Sequence, residues 1–157
     1  PEGNPTTRLD IVKAAQVARL TQEEFDAERA KILAACSDCH SESFAKAEMA
    51  KGDDLIREVD HLLAEAIRVI AGLYSDGILE KPQGYAYAFP DLLTFHDAPT
   101  PIEQTLFEMH LKHRMRAFQG AFHANPDDAL WYGWSEMARD LADIQKMAEE
   151  MRLHHEG

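Results

Sequence analysis

The chain has 157 residues, a formal net charge of −12 and 45% apolar residues. This length predicts one ordinary domain with a real core, and the apolar fraction is too high for a disordered protein. The acidic balance argues against a nucleic-acid partner, because phosphate contacts need basic side chains. No apolar run approaches the roughly 18–20 residues that a membrane-spanning helix needs, so no membrane span is expected.

The N-terminus carries no secretory signal pattern. The first residue is Pro1 rather than Met, and the opening residues lack the charged-then-apolar order of a signal peptide. We expect either that a leader has been removed or that the sequence is a piece of a longer chain. Residues 1–9 are predicted to form a tail.

The first half of the chain predicts three helices. An Ala-rich helix is expected over Asp10–Leu20, and Thr21–Glu24 forms a capping box that opens a helix running to the cysteines. Gly52–Asp54 is expected to open a long third helix that ends at Ser75–Gly77, where a glycine suits the left-handed position. The apolar stripe of that helix is predicted to consist of Leu55, Val59, Leu62, Leu63, Ile67, Val69, Ile70 and Leu73.

The second half predicts an aromatic loop and two further helices. Residues 80–99 contain three prolines and four aromatics, and this loop either packs over a flat apolar group or covers the ends of a bundle. Thr100–Glu103 is a second capping box that opens a helix to about Ala124. Asn125–Asp128 is expected to break that helix and cap the last one, which runs through an apolar series to the C-terminal histidines. With no strand run and no repeat, the predicted fold is an all-α bundle of about four to five helices. The loop aromatics are Tyr85, Tyr87, Phe89 and Phe95, and the last helix carries Trp131, Trp134, Met137, Leu141, Ile144, Met147, Met151, His154 and His155.

Both cysteines of the chain fall in one motif, Cys36-Ser37-Asp38-Cys39-His40. CxxCH is the attachment pattern of c-type haem: the two thiols add to the vinyl groups of one porphyrin, and the histidine is placed under the iron as the proximal ligand. We therefore predict a single covalent haem c inside the bundle. The export pathway that attaches haem c implies a periplasmic or extracellular location.

Two other readings of the motif were weighed against haem attachment. A zinc site needs four ligands, which His110 and His113 would have to complete. A thioredoxin-like CxxC follows a strand, and no strand is predicted here.

His123 is the preferred second axial ligand. Small residues flank it in Gly120–Pro126 and permit a bulky planar group to approach, while Phe122 and Trp131 (with Trp134) are candidates to pack on that group. Gly133 suggests a similar close contact, although all of these residues also suit ordinary helix–helix packing.

Other side chains compete with His123 for the iron. The alternative histidine ligands are His110 and His113. His113 lies ten residues before His123 and is expected to share its face. Methionine ligation is the rival. His61 is expected to be a surface or boundary residue, His96 sits in the aromatic loop, and the terminal histidines are expected to be solvated. The candidate methionines are Met49, Met109 and Met115.

Two segments together resemble a known family. CSDCHSESFAKAEMAKGDDLI followed by a helix ending LYSDGIL, and EMHLKHRMRAFQGAFHANPDDALWYGW, are similar to the last-haem and C-terminal regions of octahaem hydroxylamine oxidoreductase-like cytochromes c. The resemblance covers about residues 25–150. It implies a helical multihaem fold, bis-histidine electron-transfer haems and frequent trimers, with His40 proximal and His123 a haem ligand. The family carries eight CxxCH motifs and a catalytic haem with a crosslinking tyrosine, whereas this chain has one motif and no placed counterpart of that tyrosine.

The preferred function is electron transfer by a monohaem c-type cytochrome with a bis-histidine, low-spin haem. An open sixth position would instead give a haem protein that binds or reduces small ligands such as nitric oxide, peroxide or nitrogen compounds, with His110 or His113 as an acid–base group. A third reading is a docking subunit of a multihaem oxidoreductase complex. We expect an electron-transfer protein or subunit rather than a stand-alone enzyme, and a homo- or hetero-oligomer with a redox partner protein, a multihaem cytochrome being one candidate.

Overall fold

The computed structural model describes residues 21–92, 98 and 100–156. All regular structure in these residues is helical, which confirms the all-α prediction. The chain divides into two compact units, Pro1–Ala47 and Glu48–Gly157, and the expectation of a single domain over 1–157 stays a prediction. The helix predicted over Asp10–Leu20 lies outside the described residues.

Helix α1 spans Gln22–Ser37 and opens with the predicted capping box. The Glu24 amide donates to the Thr21 hydroxyl at 3.2 Å, and the Glu24 carboxylate accepts from the Thr21 amide at 2.8 Å. No residue of this helix is buried. Because α1 buries no apolar face among the described residues, its own packing contributes little to its stability.

Helix α2 spans Glu42–Ser75, so the predicted start at Gly52 is wrong. The Phe44 amide donates to the Ser41 hydroxyl at 3.3 Å, which caps the earlier start. One glycine inside a helix costs only about 1 kcal/mol, which the helix formers of residues 42–51 outweigh. The end is as predicted: Gly77 has φ +69°, and the amides of residues 78 and 79 donate to the Leu73 carbonyl at 3.0 and 3.2 Å.

The aromatic loop stacks its own rings. Tyr85 and Tyr87 meet edge to face with ring centroids 5.4 Å apart, and Tyr87 stacks on Phe89 at the same distance. Gly84 supplies the positive φ of +77° that this turn requires. Tyr87 and Phe89 remain half exposed. Residues 93–97 and 99, which include Phe95 and His96, lie outside the described residues.

The next helix is continuous from Pro101 to Phe122 but changes pitch in the middle. It consists of α3 (Pro101–Glu108), a π-helical turn π1 (Met109–His113) and α4 (Arg114–Phe122). Pro101 takes the first helical position as predicted. The predicted capping box is not formed, because the Thr100 hydroxyl donates to Glu103 Oε2 at 2.6 Å instead of accepting from the backbone.

The last helix begins with a second π-helical segment, π2 (Asp127–Trp134), and continues as α5 (Ser135–Glu156). Ala124 adopts φ +50°, and the Asn125 amide donates back to the Gly120 carbonyl at 2.8 Å. The Asn125 side chain then accepts from the Asp128 amide at 3.3 Å. This turn confirms the predicted break and cap at Asn125–Asp128.

One apolar core lies within the unit Glu48–Gly157. The predicted stripe of α2 is confirmed, since four of its members are buried and the other four pack against the core. Among the described helices, none is both long and apolar enough to cross a membrane. The core residues are Val59, Leu63, Ala66, Ile70, Leu73, Tyr74, Leu79, Ile102, Leu106, Met109, Ala117, Met137, Leu141, Ile144 and Ala148.

Candidate haem site

The CxxCH residues span the last residues of α1 and the turn that follows it. The amides of Cys39 and His40 both donate to the Cys36 carbonyl, at 3.3 and 3.0 Å. Cys36 is half-buried and Cys39 is exposed, and no disulfide joins them. One turn of backbone therefore holds two accessible thiols and an imidazole in sequence, which is the donor set that covalent haem attachment uses.

Exposed apolar side chains surround this turn. The His40 ring lies against the Phe44 ring, with centroids 5.0 Å apart and planes at 32°. Phe44 and Ile32 are about half exposed, and Phe25 is also exposed. Partly exposed apolar side chains are suited to contact a flat apolar group, so these residues fit a haem.

Neither the zinc site nor the thioredoxin-like motif finds support in the described residues. No group of three or more His, Cys, Asp or Glu side chains there is arranged to hold a metal ion. The segment before Cys36 is a helix rather than a strand, which argues against a thioredoxin-like motif.

His123 lies at the C-terminal cap of α4, with φ −95° and ψ 8°. Its side chain is exposed, and its Nδ1 lies 2.8 Å from the Gln119 carbonyl oxygen. A carbonyl partner fixes Nδ1 as the N–H donor, which leaves the Nε2 lone pair directed away from that bond. Metal-ligating histidines are commonly held in this way.

Phe122 and Trp131 are among the most exposed large side chains, at 68% and 69% of full exposure. Leu130, Tyr132 and Trp134 on π2 are exposed as well. The Phe122 ring contacts Phe118, with centroids 6.2 Å apart, but both Phe122 and Trp131 keep most of their surface exposed. They are available to contact a haem or a partner.

The glycines near His123 serve helix packing rather than a planar group. A Cβ on Gly120 would lie 2.6 Å from the Ala129 Cα, and one on Gly133 would lie 2.6 Å from the Ala117 Cα. These reciprocal contacts bring α4 and π2 together. Of the two readings weighed for these small residues, the structure supports close helix–helix contact.

His113 is buried and does not share an exposed face with His123, contrary to the expectation. It is 5% exposed, and its Nδ1 lies 2.5 Å from Oδ2 of Asp140, which is 6% exposed. His113 ends the π turn and faces α5, whereas His123 lies beyond the last turn of α4. Burial raises the pKa of Asp140, and the hydrogen bond and charge of His113 oppose that shift.

The other candidate ligands lie in different surroundings. His110 is half-buried, and its Nδ1 has no hydrogen-bond partner among the described residues. Burial and the Arg114 charge lower its pKa, against an opposite effect of Asp60. Met109 is fully buried in the core, Met115 is exposed and Met49 is half-buried. His61, His154 and His155 are exposed as expected, and His96 lies outside the described residues.

Asp140 and Glu103 are buried polar residues that the sequence reasoning missed. Asp140 lies three residues after Met137 and four before Ile144, so it interrupts the apolar stripe of α5. That interruption was the available signal. Glu103 is 3% exposed and accepts from the Tyr74 hydroxyl at 2.5 Å. A contact 29 residues apart in sequence leaves no local signal.

Comparison with known proteins gives a consistent family assignment. The family model described as "Seven times multi-haem cytochrome CxxCH" matches residues 7–85, half of the chain. A probable nitrite reductase-hydroxylamine oxidoreductase fusion protein of Kuenenia stuttgartiensis is 24% identical over 174 aligned positions. That alignment covers 85% of this chain but only 20% of the relative.

A solved structure shares the fold. A chain of a reducing HAO-like protein complex of Kuenenia stuttgartiensis superposes with a TM-score of 0.74 at 20% identity. The match covers 86% of this chain and 34% of that one. With the CxxCH turn inside the matched region, the chain belongs to the multihaem cytochrome c family, whose CxxCH motifs imply haem c as cofactor.

Proposed function

We propose that this chain carries one covalent haem c and transfers electrons as a monohaem cytochrome or a haem subunit. The observation that carries the proposal is the backbone turn Cys36–His40 at the end of α1, which holds both cysteine side chains and the His40 imidazole. Cys36 and Cys39 would form the thioether links, and His40 would be the proximal ligand. When bound, a c-type haem supplies a one-electron redox couple at its iron.

His123 is the proposed second axial ligand, with Phe122 and Trp131 in contact with the haem. Its support is local: the ring is exposed, and the Gln119 carbonyl holds Nδ1 so that Nε2 is left to coordinate. Two histidine ligands keep the iron low-spin and give a lower potential than a histidine–methionine pair. This ligand set suits electron transfer better than catalysis at an open site.

Absorption spectra of the purified holoprotein test the ligand assignment. We expect a low-spin spectrum that becomes high-spin in His123→Ala but not in the matched variant His61→Ala, which removes an exposed histidine of α2. His110→Ala and His113→Ala test the alternative ligands in the same way. A high-spin spectrum in the unmodified protein would overturn the six-coordinate proposal and favour an open-site haem protein.

Haem number and attachment need a separate measurement. Intact mass spectrometry under denaturing conditions should show one haem mass on the chain, because thioethers survive denaturation. Cys36→Ala and Cys39→Ala should each leave a single thioether and shift the pyridine haemochrome band. Loss of haem from the unmodified chain on denaturation would contradict the proposal.

We also propose an exported protein that assembles with a multihaem partner or with further copies of itself. The support is that the similar solved structure is described as a protein complex and that this chain spans about a third of the chain it matches. Cell fractionation should place the holoprotein in the periplasm or outside the cell. Light scattering after size exclusion, with co-purification, should show an assembly, and a stable lone monomer would contradict it.

A further inference from the structure

A surface cleft of about 510 Å³ lies where the two π-helical segments meet α4 and α5. Its volume falls in the usual range for small-molecule sites. π-helical segments are rare and often occur at functional positions. The proposed haem ligands do not line this cleft, so the proposed function leaves it unexplained.

A buried histidine–carboxylate pair lies at this cleft. His113 lines it, and the only hydrogen bond found for His113 among the described residues joins Nδ1 to Asp140. The second ring nitrogen, Nε2, is therefore the atom left for a ligand. Burying a polar pair costs desolvation and stabilises little by itself. The carboxylate does, however, fix the orientation of the ring.

The charge of the lining is opposite to that of the whole chain. Three cationic side chains, Lys112, Arg116 and Arg139, line the cleft against two carboxylates, Asp128 and Glu136. The chain as a whole carries −12. Because Lys112 and Arg139 are paired with Glu108 and Glu136, the attraction for an anion rests on the Arg116 guanidinium.

Arg116 has donors to spare. Its Nη1 lies 3.6 Å from Asp128 Oδ1, which is too long for a hydrogen bond. Lys112 is engaged by Glu108 at 2.5 Å, and Arg139 pairs with Glu136. A guanidinium group offers parallel N–H donors that match the oxygens of a carboxylate or an oxyanion.

We propose that this cleft binds a small oxyanion or carboxylate, with the Arg116 guanidinium as its principal donor and the His113 ring beside it. The Tyr132 hydroxyl, also in the lining, is a neutral donor to the same ligand. Glu136 and Asp128 limit the site to compact anions, because a larger anion would approach their carboxylates.

Calorimetric titration of the holoprotein with inorganic phosphate and with acetate, at constant ionic strength, tests the proposal. We expect saturable binding of at least one anion. Arg116→Gln should weaken it by about tenfold or more, the loss expected for a charge-assisted hydrogen bond. Arg57→Gln is the matched control, since Arg57 pairs with Asp54 on the exposed surface of α2 and should leave binding unchanged.

The side-chain ¹⁵N resonances of His113 give an independent readout. Binding should shift the Nε2 resonance more than that of the exposed His61. Absence of saturable binding, or equal loss in Arg116→Gln and Arg57→Gln, overturns the proposal. These outcomes do not depend on the axial ligand, so they are distinct from a failure of the His123 assignment.

Discussion

His123 lies where α4 ends, and that position determines what its ring can do. A histidine inside the helix would project from a fixed face, but at the cap its Nδ1 reaches the Gln119 carbonyl at 2.8 Å. His113, on the same continuous helix, is turned inward to Asp140. Two histidines of one helix thus have different surroundings: His123 is exposed, as the proposed coordination of iron requires, and His113 is buried beside the cleft.

The buried hydrogen bond between Tyr74 and Glu103 gives a prediction about stability at the scale of single residues. The Tyr74 hydroxyl donates to the buried Glu103 carboxyl, and burial together with this contact raises the pKa of Tyr74 well above its usual value. Because the folded pKa exceeds the unfolded one, this stabilisation is complete below about pH 10 and is lost as the pH rises further. Tyr74→Phe should reduce the free energy of unfolding by about 1–3 kcal/mol at pH 7, since Glu103 loses a donor.

Urea unfolding at pH 7 measures the loss of stability in Tyr74→Phe. Urea unfolding between pH 9 and 11 measures how much the free energy of unfolding falls at alkaline pH. The free energy of unfolding of Tyr74→Phe should fall less over this alkaline range than that of the unmodified protein. The control is Tyr132→Phe, which removes the hydroxyl of an exposed tyrosine and should retain the decline. Equal alkaline slopes in the unmodified protein and Tyr74→Phe would contradict the prediction.

At the scale of elements, the close contact of α4 with π2 organises the C-terminal half. Gly120 faces Ala129, and Gly133 faces Ala117, so each segment brings a glycine to an alanine of the other. The π pitch of Asp127–Trp134 places Trp131 and Tyr132 outward while Ala129 and Gly133 stay buried. The contact that brings these segments together therefore also sets which aromatic rings remain exposed.

Alanine at either glycine should disrupt this contact. A new Cβ would lie about 2.6 Å from the facing backbone, and overpacking of this kind costs about 1–3 kcal/mol. Gly120→Ala and Gly133→Ala should each lower the urea midpoint. Gly72→Ala is the matched control, because its Cβ would meet only the end of the Arg152 side chain at 3.6 Å. That variant should be neutral or more stable by up to about 1 kcal/mol. A midpoint unchanged in both test variants would contradict the close contact.

At the scale of the whole molecule, the net charge of −12 sets how the protein meets a redox partner. A strongly acidic surface attracts a basic partner over long range, and salt screens that attraction with a Debye length of about 10 Å at 0.1 M. The charge acts on encounter rates rather than on the fold. The local cationic excess at the cleft is an exception to this global field.

Stopped-flow electron transfer measures this consequence of the proposed function. The rate with a small basic redox protein should fall steeply as the ionic strength rises. With an uncharged reductant as the control, the rate should hardly change. A rate with the basic protein that is independent of salt would show that the acidic surface does not guide the encounter.

The sequence by itself determined the local features of this protein. The capping box at Thr21, the end of α2 at Gly77 and the break at Asn125 follow from contacts within about five residues, and each was predictable for that reason. The apolar stripe of α2 follows from helical periodicity. The CxxCH motif predicts covalent attachment of haem c from sequence alone, because the two cysteines and the histidine that it requires are neighbours in the chain.

Only the tertiary structure decided the features that depend on distant residues. The π-helical turn at Met109–His113 directs His113 toward Asp140, and no local sequence pattern predicts this departure from α-helical geometry. Glu103 looks like a capping residue, yet its partner Tyr74 comes from another helix. In each case the free energy comes from packing between elements, which a linear reading cannot see because the contacting residues are far apart in the chain.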